Sequence, residues 1–242
     1  METLGGSESQ RVRRRRSWTR RLVHVDDLDE DIVERLWRNP ADLIRAAQVI
    51  QRGNRSVVGR LEAGGQSLLV KEYVPQGVVH ALTHLFLPTR ARWSWRMAWR
   101  MREAGVHTPR PLAIVEDDWG PLNRRAILVT AFIEGRELHE VATDSTTGRG
   151  QLDVLANQLR EIWQRLGAAR ITNDDIKANN FMIDGGNRLW LVDLDGARQW
   201  PEGWLFEGIY RHKRRSDRRS FLNRWVDYPE AQAFFAPCLD SP

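Results

Sequence analysis

The fold is decided by Asn173-Asp174-Asp175-Ile176-Lys177-Ala178-Asn179-Asn180, followed by two short apolar runs and then by Val192-Asp193-Leu194-Asp195. The apolar runs are Phe181-Met182-Ile183 and Leu189-Trp190-Leu191-Val192. The four residues between them, Asp184-Gly185-Gly186-Asn187, are typical of a tight turn. The pattern therefore predicts a β-hairpin with polar residues at its open end.

The expected pairing of this hairpin joins Phe181 to Val192, which sets Asn180 opposite Asp193. Directly opposed residues of an antiparallel pair have Cβ atoms about 5 Å apart and project from the same face. An amide oxygen and a carboxylate oxygen at that separation can bind one hard cation together. The hairpin therefore predicts a metal site formed by Asn180 and Asp193.

The spacing around this hairpin resembles the catalytic loop of protein kinases, in which a catalytic Asp precedes a metal-binding Asn by five residues. Here Asp175 precedes Asn180 by five residues, and Asp193 follows the hairpin. The resemblance implies that Asp175 accepts the proton of a substrate hydroxyl group. Two positions differ from the kinase pattern, because Asn173 replaces the kinase His and Asp195 replaces the kinase Gly.

A second pair, Asp174 with Asn179, has the same spacing. The first pair is favoured because Asn180 immediately precedes the apolar strand, as the kinase Asn does. A plainer interpretation is that Asp and Asn are common here because both residues form turns.

Lysine usage supports the same interpretation. Only Lys71, Lys177 and Lys213 are lysines among 37 basic residues. Arginine cannot replace lysine where a compact ammonium group is required. Lys71 ends a β-rich run in a predicted hairpin, and by resemblance it holds the α- and β-phosphates of a nucleotide. Lys177 stands where many kinases carry a lysine that steadies the γ-phosphate.

The length and composition favour one enzyme built from two small lobes. A chain of 242 residues can bury a sizeable core, and the lone Cys238 excludes an intrachain disulfide. No apolar run approaches the roughly 18 residues of a spanning helix, which favours a cytoplasmic protein. The net charge of +5 and the pI near 9.9 point to an anionic partner, which can be nucleic acid, a membrane surface or a phosphorylated substrate.

The order of predicted elements gives an α+β fold of the protein-kinase type. We expect a disordered basic tail over residues 1–21, a nucleotide-binding lobe over residues 22–133 and a helical lobe over residues 134–242. The first lobe should contain an antiparallel five-stranded sheet and one helix. That helix, Ala91 to Ala104, carries Ser94 where kinases usually place a Glu to pair with the strand lysine.

The residues after Asp193 favour a substrate other than a peptide, because they lack the Ala-Pro-Glu motif that anchors a protein-substrate segment. Their pattern instead predicts a helix from Tyr210 to Trp225 with seven basic residues. Its guanidinium groups are expected to be free to bind phosphates or carboxylates.

The sequence resembles the lipopolysaccharide core kinases, which are the bacterial heptose and Kdo kinases, over roughly residues 40–228. The resemblance lies in four segments: Arg92 to Pro111, Asn173 to Asn180, Val192 to Asp195, and Lys213 to Trp225. It implies ATP and Mg²⁺ as cofactors and a sugar hydroxyl of the lipopolysaccharide inner core, or another anionic sugar, as acceptor. It also implies work at the cytoplasmic face of the inner membrane, with peripheral contact through basic and Trp-rich surfaces.

Three other functions stay open. A small-molecule phosphotransferase of the aminoglycoside or choline type shares the loop and metal residues, but its loop usually keeps the His. A pseudokinase or envelope-stress scaffold would show no transfer. A nucleic-acid-binding module would explain the arginines and predict salt-dependent affinity, but it leaves the placement of the lysines unexplained, so no specific nucleic acid is expected.

Overall fold

The computed structural model describes residues 12–53, 56–74, 89–118 and 124–240. Its contacts divide the chain into two compact units. The first comprises the described residues up to Arg96 together with Arg110–Phe132, and the second comprises Met97–Pro109 together with the described residues from Ile133 onward.

The first unit is built on a seven-stranded antiparallel sheet with the strand order β1-β2-β6-β7-β5-β4-β3. The strands are β1 Val12–Arg16, β2 Arg20–Val25, β3 Gln48–Arg52, β4 Ser56–Ala63, β5 Gln66–Tyr73, β6 Pro111–Asp118 and β7 Arg124–Ala131. The helices are α1 Glu30–Arg38, α2 Ala41–Ala46 and α3 Arg90–Glu103, and the last of these continues into the second unit.

The predictions of five strands and of one helix are wrong, and so is the prediction of disorder for residues 12–21. The two additional strands are β1 and β2, which form a hairpin that pairs with β6. The arginines of this hairpin find partners on folded elements: Arg15 lies over the Trp37 ring at 4.6 Å, and Arg20 forms an ion pair with Asp117. Residues 1–11 of the expected tail lie outside the described residues.

Lys71 is placed by the β4–β5 hairpin. Its turn contains Gly64 and Gly65 at φ 56° and 68°, a left-handed geometry that glycine adopts without steric cost. Leu68 and Val70 point into the core and are fully buried, whereas Lys71 is half-buried on the alternating face. The predicted strand is therefore confirmed, although it continues past Lys71 to Tyr73.

The second unit combines short strands with helices. Its strands are β8 Gly135–Glu137, β9 Ile171–Asn173, β10 Phe181–Asp184, β11 Leu189–Leu191 and β12 Ala197–Gln199, and its helices are α4 Leu138–Thr143, α5 Arg149–Ala168, α6 Trp204–Asn223 and α7 Pro229–Phe235. Short 3₁₀ turns occupy Ala178–Asn180 and Ala236–Leu239. The strands form two small sheets, β11-β10-β8 and β12-β9.

Residues 97–109, predicted to belong to the first lobe, group instead with the second unit. The reason is a set of bonds to β11: the N–H of Leu191 donates to the carbonyl oxygen of His107 at 2.9 Å, and Thr108 Oγ1 donates to the carbonyl oxygen of Leu191 at 2.7 Å. The C-terminal half of α3 buries Met97 and Met101, and the helix is followed by Gly105 at φ 77°.

An aromatic core holds the second unit together. Phe181 of β10 meets Phe221 of α6 edge-on at 5.8 Å, and Trp225 stacks on Phe235 of α7 at 5.4 Å. All four side chains are fully buried, and rings of this size contribute the largest share of apolar burial per residue. Across the described part of the chain, every helix is too short or too polar to traverse a lipid bilayer.

Candidate active site

The loop between β9 and β10 is fastened to the segment after β11 by Asn173. The Nδ2 of Asn173 donates to the carbonyl oxygen of Asp193 at 2.9 Å, and its Oδ1 accepts the N–H of Asp175 at 3.4 Å. Asn173 itself is buried. The residue that departs from the kinase pattern therefore connects the two segments predicted to carry the chemistry.

Gly196 makes this connection possible. The N–H of Asp174 donates to the carbonyl oxygen of Gly196 at 3.2 Å, so the two segments run in close contact. A Cβ atom at position 196 would lie 2.8 Å from Asn173 Oδ1 and 3.0 Å from the nitrogen of Asp175. Only glycine fits at position 196. The kinase pattern has its glycine at position 195, where this chain has Asp195, and Gly196 is instead required because any side chain would meet Asn173 and Asp175.

The hairpin forms as predicted, but in a register that differs by one residue. Phe181 pairs with Leu191, and the N–H of Val192 donates to the carbonyl oxygen of Asn180 at 2.9 Å. Asn180 therefore lies opposite Val192, and the prediction that it lies opposite Asp193 is wrong. Asp193 follows two residues after the end of β11.

The turn explains this shift. The N–H of Asp184 donates to the carbonyl oxygen of Arg188 at 3.1 Å, which leaves three residues in the loop instead of four. Asn187 adopts φ 59°, the left-handed conformation that three-residue hairpin loops use. Asp184 Oδ1 also accepts the N–H groups of Gly186 and Arg188 at 2.9 and 3.0 Å, which stabilises the shorter loop. Although burial opposes ionisation, these bonds lower the pKa of the Asp184 carboxyl.

Asn180 and Asp193 offer a donor set that suits Mg²⁺. The Nδ2 of Asn180 donates to the carbonyl oxygen of Asp175 at 2.6 Å, which leaves its Oδ1 as the atom able to bind a cation. Asp193 Oδ1 accepts the N–H of Asp195 at 3.2 Å, which orients its carboxylate. The described residues contain no cluster of three or more His, Cys, Asp or Glu side chains suited to a metal. One carboxylate and one amide nevertheless fit Mg²⁺, which commonly completes its coordination with substrate phosphates and water.

The two candidate aspartates have different partners. Asp175 forms an ion pair with Lys177, and about half of each side chain is exposed, at 53% and 44%. Asp174 instead binds Lys213 of α6, whose Nζ lies 2.9 and 3.1 Å from its two carboxylate oxygens. Asp174 is thus held by a helix of the scaffold, whereas the ion-pair partner of Asp175 is a residue of the same loop. This arrangement favours Asp175 for contact with a substrate.

Helix α6 supports the loop at further points. Asp217 is 1% exposed, and its Oδ2 accepts the backbone N–H of Asn173 at 2.8 Å. Arg224, which caps the helix, donates from Nε to Asn179 Oδ1 at 2.6 Å, and Asn179 in turn bonds to Glu137. The loop therefore takes its geometry largely from a helix that lies about 40 residues later in the sequence.

Burial raises the pKa of Asp217 to about 7. The N–H of Asn173 and the nearby Arg214 and Lys213 oppose this shift, whereas the negative charge of Asp174 adds to it. Its second oxygen, Oδ1, is buried and has no hydrogen-bond partner among the described residues. A carboxyl group in these surroundings carries its proton in part at neutral pH.

Lys71 belongs to the first unit, whereas the Asp175 loop belongs to the second. It pairs in register with Val58 of β4 and Leu128 of β7, and its Nζ lies 5.5 Å from the centre of the Tyr73 ring. The Tyr73 hydroxyl lies 3.4 Å from the hydroxyl of Ser94 on α3, which is buried. Ser94 thus occupies the predicted helix position and packs with the sheet without supplying a carboxylate.

The basic residues of α6 are less free than predicted. Arg214 is largely buried over the Trp163 ring at 4.0 Å, which lowers its pKa by desolvation. Arg218 binds Asp240 at 2.7 Å, and Arg211 binds Glu207 at 2.6 Å. The expectation of free guanidinium groups is therefore wrong for these arginines, since each has a partner within the second unit.

Sequence reasoning missed Lys213, Asp217 and Gly196 as parts of the site. For Lys213 a signal was present, because it is the third of only three lysines. For Asp217 the signal was a single acidic residue within a basic segment, between Arg215 and Arg218. For Gly196 the signal was its position directly after Asp195.

Comparison with known proteins gives a consistent result. The sequence model of the "Lipopolysaccharide kinase (Kdo/WaaP) family" matches residues 34–225. The chain is 22% identical to a 3-deoxy-D-manno-octulosonic acid kinase of Vibrio parahaemolyticus, over 59% of this chain and 58% of that protein. It is 23% identical to the enzyme of the same name from Vibrio cholerae, over 58% of each chain. The chain thus spans a little over half the length of the curated relatives it matches.

The fold also has a solved counterpart. A structure described as "WaaP in complex with acyl carrier protein" matches with a TM-score of 0.64 and 19% sequence identity, over 91% of this chain and 89% of that chain. The likeness at this identity establishes a shared fold.

Proposed function

This chain belongs to the lipopolysaccharide kinase (Kdo/WaaP) family, and from that premise we propose that it transfers the γ-phosphoryl group of ATP to a sugar hydroxyl of the lipopolysaccharide inner core. The observation that supports this proposal most strongly is the pair of bonds from Asn173, which ties the Asp175 loop to Asp193. A loop fastened in this way suits phosphoryl transfer, in which catalysis depends mainly on positioning and on charge stabilisation.

In the proposed reaction the sugar hydroxyl oxygen attacks the γ-phosphorus, and the bond to the β–γ bridging oxygen breaks, so that ADP leaves. Asp175 orients the hydroxyl group and accepts its proton. Lys177, which already pairs with Asp175, is well placed to offset negative charge on the transferred group. Lys71 holds the α- and β-phosphates of the nucleotide, as in the kinases that the sequence resembles.

Asn180 and Asp193 hold Mg²⁺ in this proposal, through the Asn180 Oδ1 atom and the Asp193 carboxylate. When bound, the ion screens phosphate charge and fixes the orientation of the nucleotide. Asn173 and Asp217 act one step further away, since they position the loop and do not contact substrate.

The acceptor we favour is Kdo, because the curated relatives carry the name of its kinase. A heptose is the alternative acceptor within the same family. The reaction would then take place at the cytoplasmic face of the inner membrane, where ATP and the core oligosaccharide meet.

The test is a transfer assay on purified protein with Mg²⁺, radiolabelled ATP and a water-soluble, deacylated core oligosaccharide that contains Kdo. Asp175→Asn should lower kcat by a factor of about 10² to 10⁴, the usual worth of a general base. Asp174→Asn is the matched control, because it neutralises the neighbouring aspartate, which is already bound by Lys213. The kcat of this variant should stay within about tenfold of the wild-type value.

The other functions predict different results in the same assay. Equal activity of the wild type and Asp175→Asn would refute the assigned role of Asp175. Transfer to choline or an aminoglycoside, with none to the oligosaccharide, would indicate a small-molecule phosphotransferase. A folded wild-type protein that transfers phosphate to none of these acceptors would be a scaffold.

A further inference from the structure

The first two turns of α6 expose four large apolar side chains: Trp204, Leu205, Phe206 and Ile209, with 84%, 64%, 38% and 49% of their surface accessible. We call these four residues the apolar ridge. Scattered apolar residues are normal on protein surfaces, but four large exposed apolar side chains within six consecutive residues, two of them (Leu205 and Ile209) on one side of the helix, indicate an interaction site. We therefore expect the apolar ridge to bind another molecule or surface.

The ridge is not needed to hold α6 in place. The helix packs through its other side, where the Tyr210 hydroxyl donates to the carbonyl oxygen of Gly167 at 3.0 Å and Phe221 is fully buried. Arg214 and Asp217 continue this packed stripe at helical spacing. Leu205 and Ile209, one turn apart, lie on the side of the helix away from the stripe.

A row of arginines continues from the ridge along the exposed side of α6. Arg211, Arg215 and Arg219 follow one another at intervals of four residues, or about 6 Å along the helix axis, and all three are exposed. Arg211 shares Glu207 with Arg170, whereas Arg215 and Arg219 form no ion pair with any residue of the described ranges. The exposed side of α6 is thus apolar at its N-terminal end and cationic beyond it.

We propose that this side of α6 docks on a phospholipid bilayer with anionic headgroups, the ridge entering the interface and the arginine row lying on the phosphates. Tryptophan and aliphatic side chains next to arginines are the composition of interfacial helices, in which burial of apolar surface and attraction to anionic lipid act together. Each basic residue near such a surface adds to the attraction. The charge of the row is therefore complementary to this partner.

The position of the apolar ridge on α6 also determines how far the Asp175 loop would lie from the bilayer. Phe206, Ile209 and Lys213 are spaced by three and four residues, so they share one side of the helix. Lys213 binds Asp174, the neighbour of Asp175. Lys213 is two residues from both Arg211 and Arg215, so it lies beside the docking side rather than on it. Docking would thus place the loop at the flank of that side, next to the surface where a lipid-linked sugar acceptor resides. This last step rests on the proposed function, whereas the docking itself does not.

The test measures co-sedimentation of the purified full chain with vesicles, without nucleotide. Vesicles of phosphatidylglycerol and phosphatidylethanolamine should bind the wild type at least about tenfold more tightly than vesicles of phosphatidylcholine alone. Leu205→Ser/Ile209→Ser should weaken binding to the anionic vesicles by about tenfold or more, since two side chains leave the interface. Val154→Ser/Val226→Ser, which changes two apolar residues with 46% and 67% exposure elsewhere in the second unit, should bind as the wild type does.

A second pair of variants separates the arginine row from total charge. Arg215→Glu/Arg219→Glu should lower binding to anionic vesicles by at least about tenfold, whereas Arg45→Glu/Arg52→Glu, with the same net charge, should change it by less than about threefold. All four positions are exposed, so the fold should survive each change, and circular dichroism checks that it does.

Failure to bind anionic vesicles, or equal binding by the ridge variant and its control, would overturn the proposal. So would sedimentation velocity data showing a wild-type dimer that Leu205→Ser/Ile209→Ser converts to a monomer without loss of vesicle binding, because the ridge would then bind a second copy of the chain. These results are independent of phosphoryl transfer: a protein that binds vesicles but fails with the soluble oligosaccharide would refute only the proposed function.

Discussion

Replacing Asp217 with asparagine should remove much of the pH dependence of stability that the second unit has between about pH 5 and pH 8. The folded-state pKa of Asp217 is about 7, against 3.8 for the same carboxyl in the absence of perturbation. Between these two values the folded protein binds a proton that the unfolded chain has released. The stability contributed by this group therefore falls as the pH rises, and the fall levels off above about pH 7.

The magnitude follows from the size of the shift. A shift of about three pKa units corresponds to about 4 kcal/mol between the acid and alkaline limits, of which about 2.5 kcal/mol falls between pH 5 and pH 8. The amide side chain introduced by Asp217→Asn would keep an oxygen that accepts the N–H of Asn173 but would not ionise. The free energy of unfolding of this variant, relative to the wild type, should therefore rise by about 2.5 kcal/mol over this range.

Urea unfolding of both proteins at several pH values, followed by tryptophan fluorescence, measures this difference. Asp144→Asn is the control, because hydrogen bonds from Thr146 and Arg136 lower the pKa of Asp144 to about 2. That carboxyl is ionised in both states above about pH 5, so its loss should give the same offset at every pH tested. Parallel curves for the wild type and Asp217→Asn would refute the reasoning and show that Asp217 titrates near its ordinary pKa.

Three further changes test the loop and its supports. Gly196→Ala should destabilise the protein by about 1–3 kcal/mol in thermal unfolding and lower transfer, because the added methyl group meets the catalytic loop, whereas Gly208→Ala, with open space around it, should be neutral or stabilising. Asn187→Gly should preserve the hairpin, while Asn187→Val should cost about 1–2 kcal/mol, since a branched residue resists the left-handed conformation; equal stability of the two variants would contradict this. Lys213→Met should cost less than about 1 kcal/mol of stability because the ion pair is partly exposed, yet lower kcat more than KM for ATP, and Lys213→Arg should restore part of the loss.

Local patterns in the sequence were enough to predict the main elements around the site. The strand that carries Lys71, helix α3 and the hairpin of β10 and β11 all form, because apolar spacing and turn residues determine them locally. The register of the hairpin was mispredicted because it depends on how Asp184 and Asn187 close the turn. A change from four loop residues to three shifts every pair by one position.

Contacts distant in sequence account for the other errors. The arginines of β1 and β2 suggested a solvated tail, because no local pattern shows that β2 will pair with β6 or that Arg15 and Arg20 will bind Glu34 and Asp117. In the same way, the arginines of α6 were predicted to be free for ligands, because no local pattern shows that Arg214 will lie over Trp163. Composition describes the charge of a segment, but its partners depend on tertiary packing.

The support of the Asn173–Asn180 loop by α6 has a consequence for synthesis of the chain. The bonds from Lys213, Asp217 and Arg224 join residues that are 39, 44 and 45 positions apart, and each runs from the helix back to the loop. Chains are made from the N-terminus at about 5–20 residues per second, so the loop is complete several seconds before its supports leave the ribosome. Catalytic geometry should therefore be acquired late, and a nascent chain that ends before α6 should be inactive even when its hairpin is already formed.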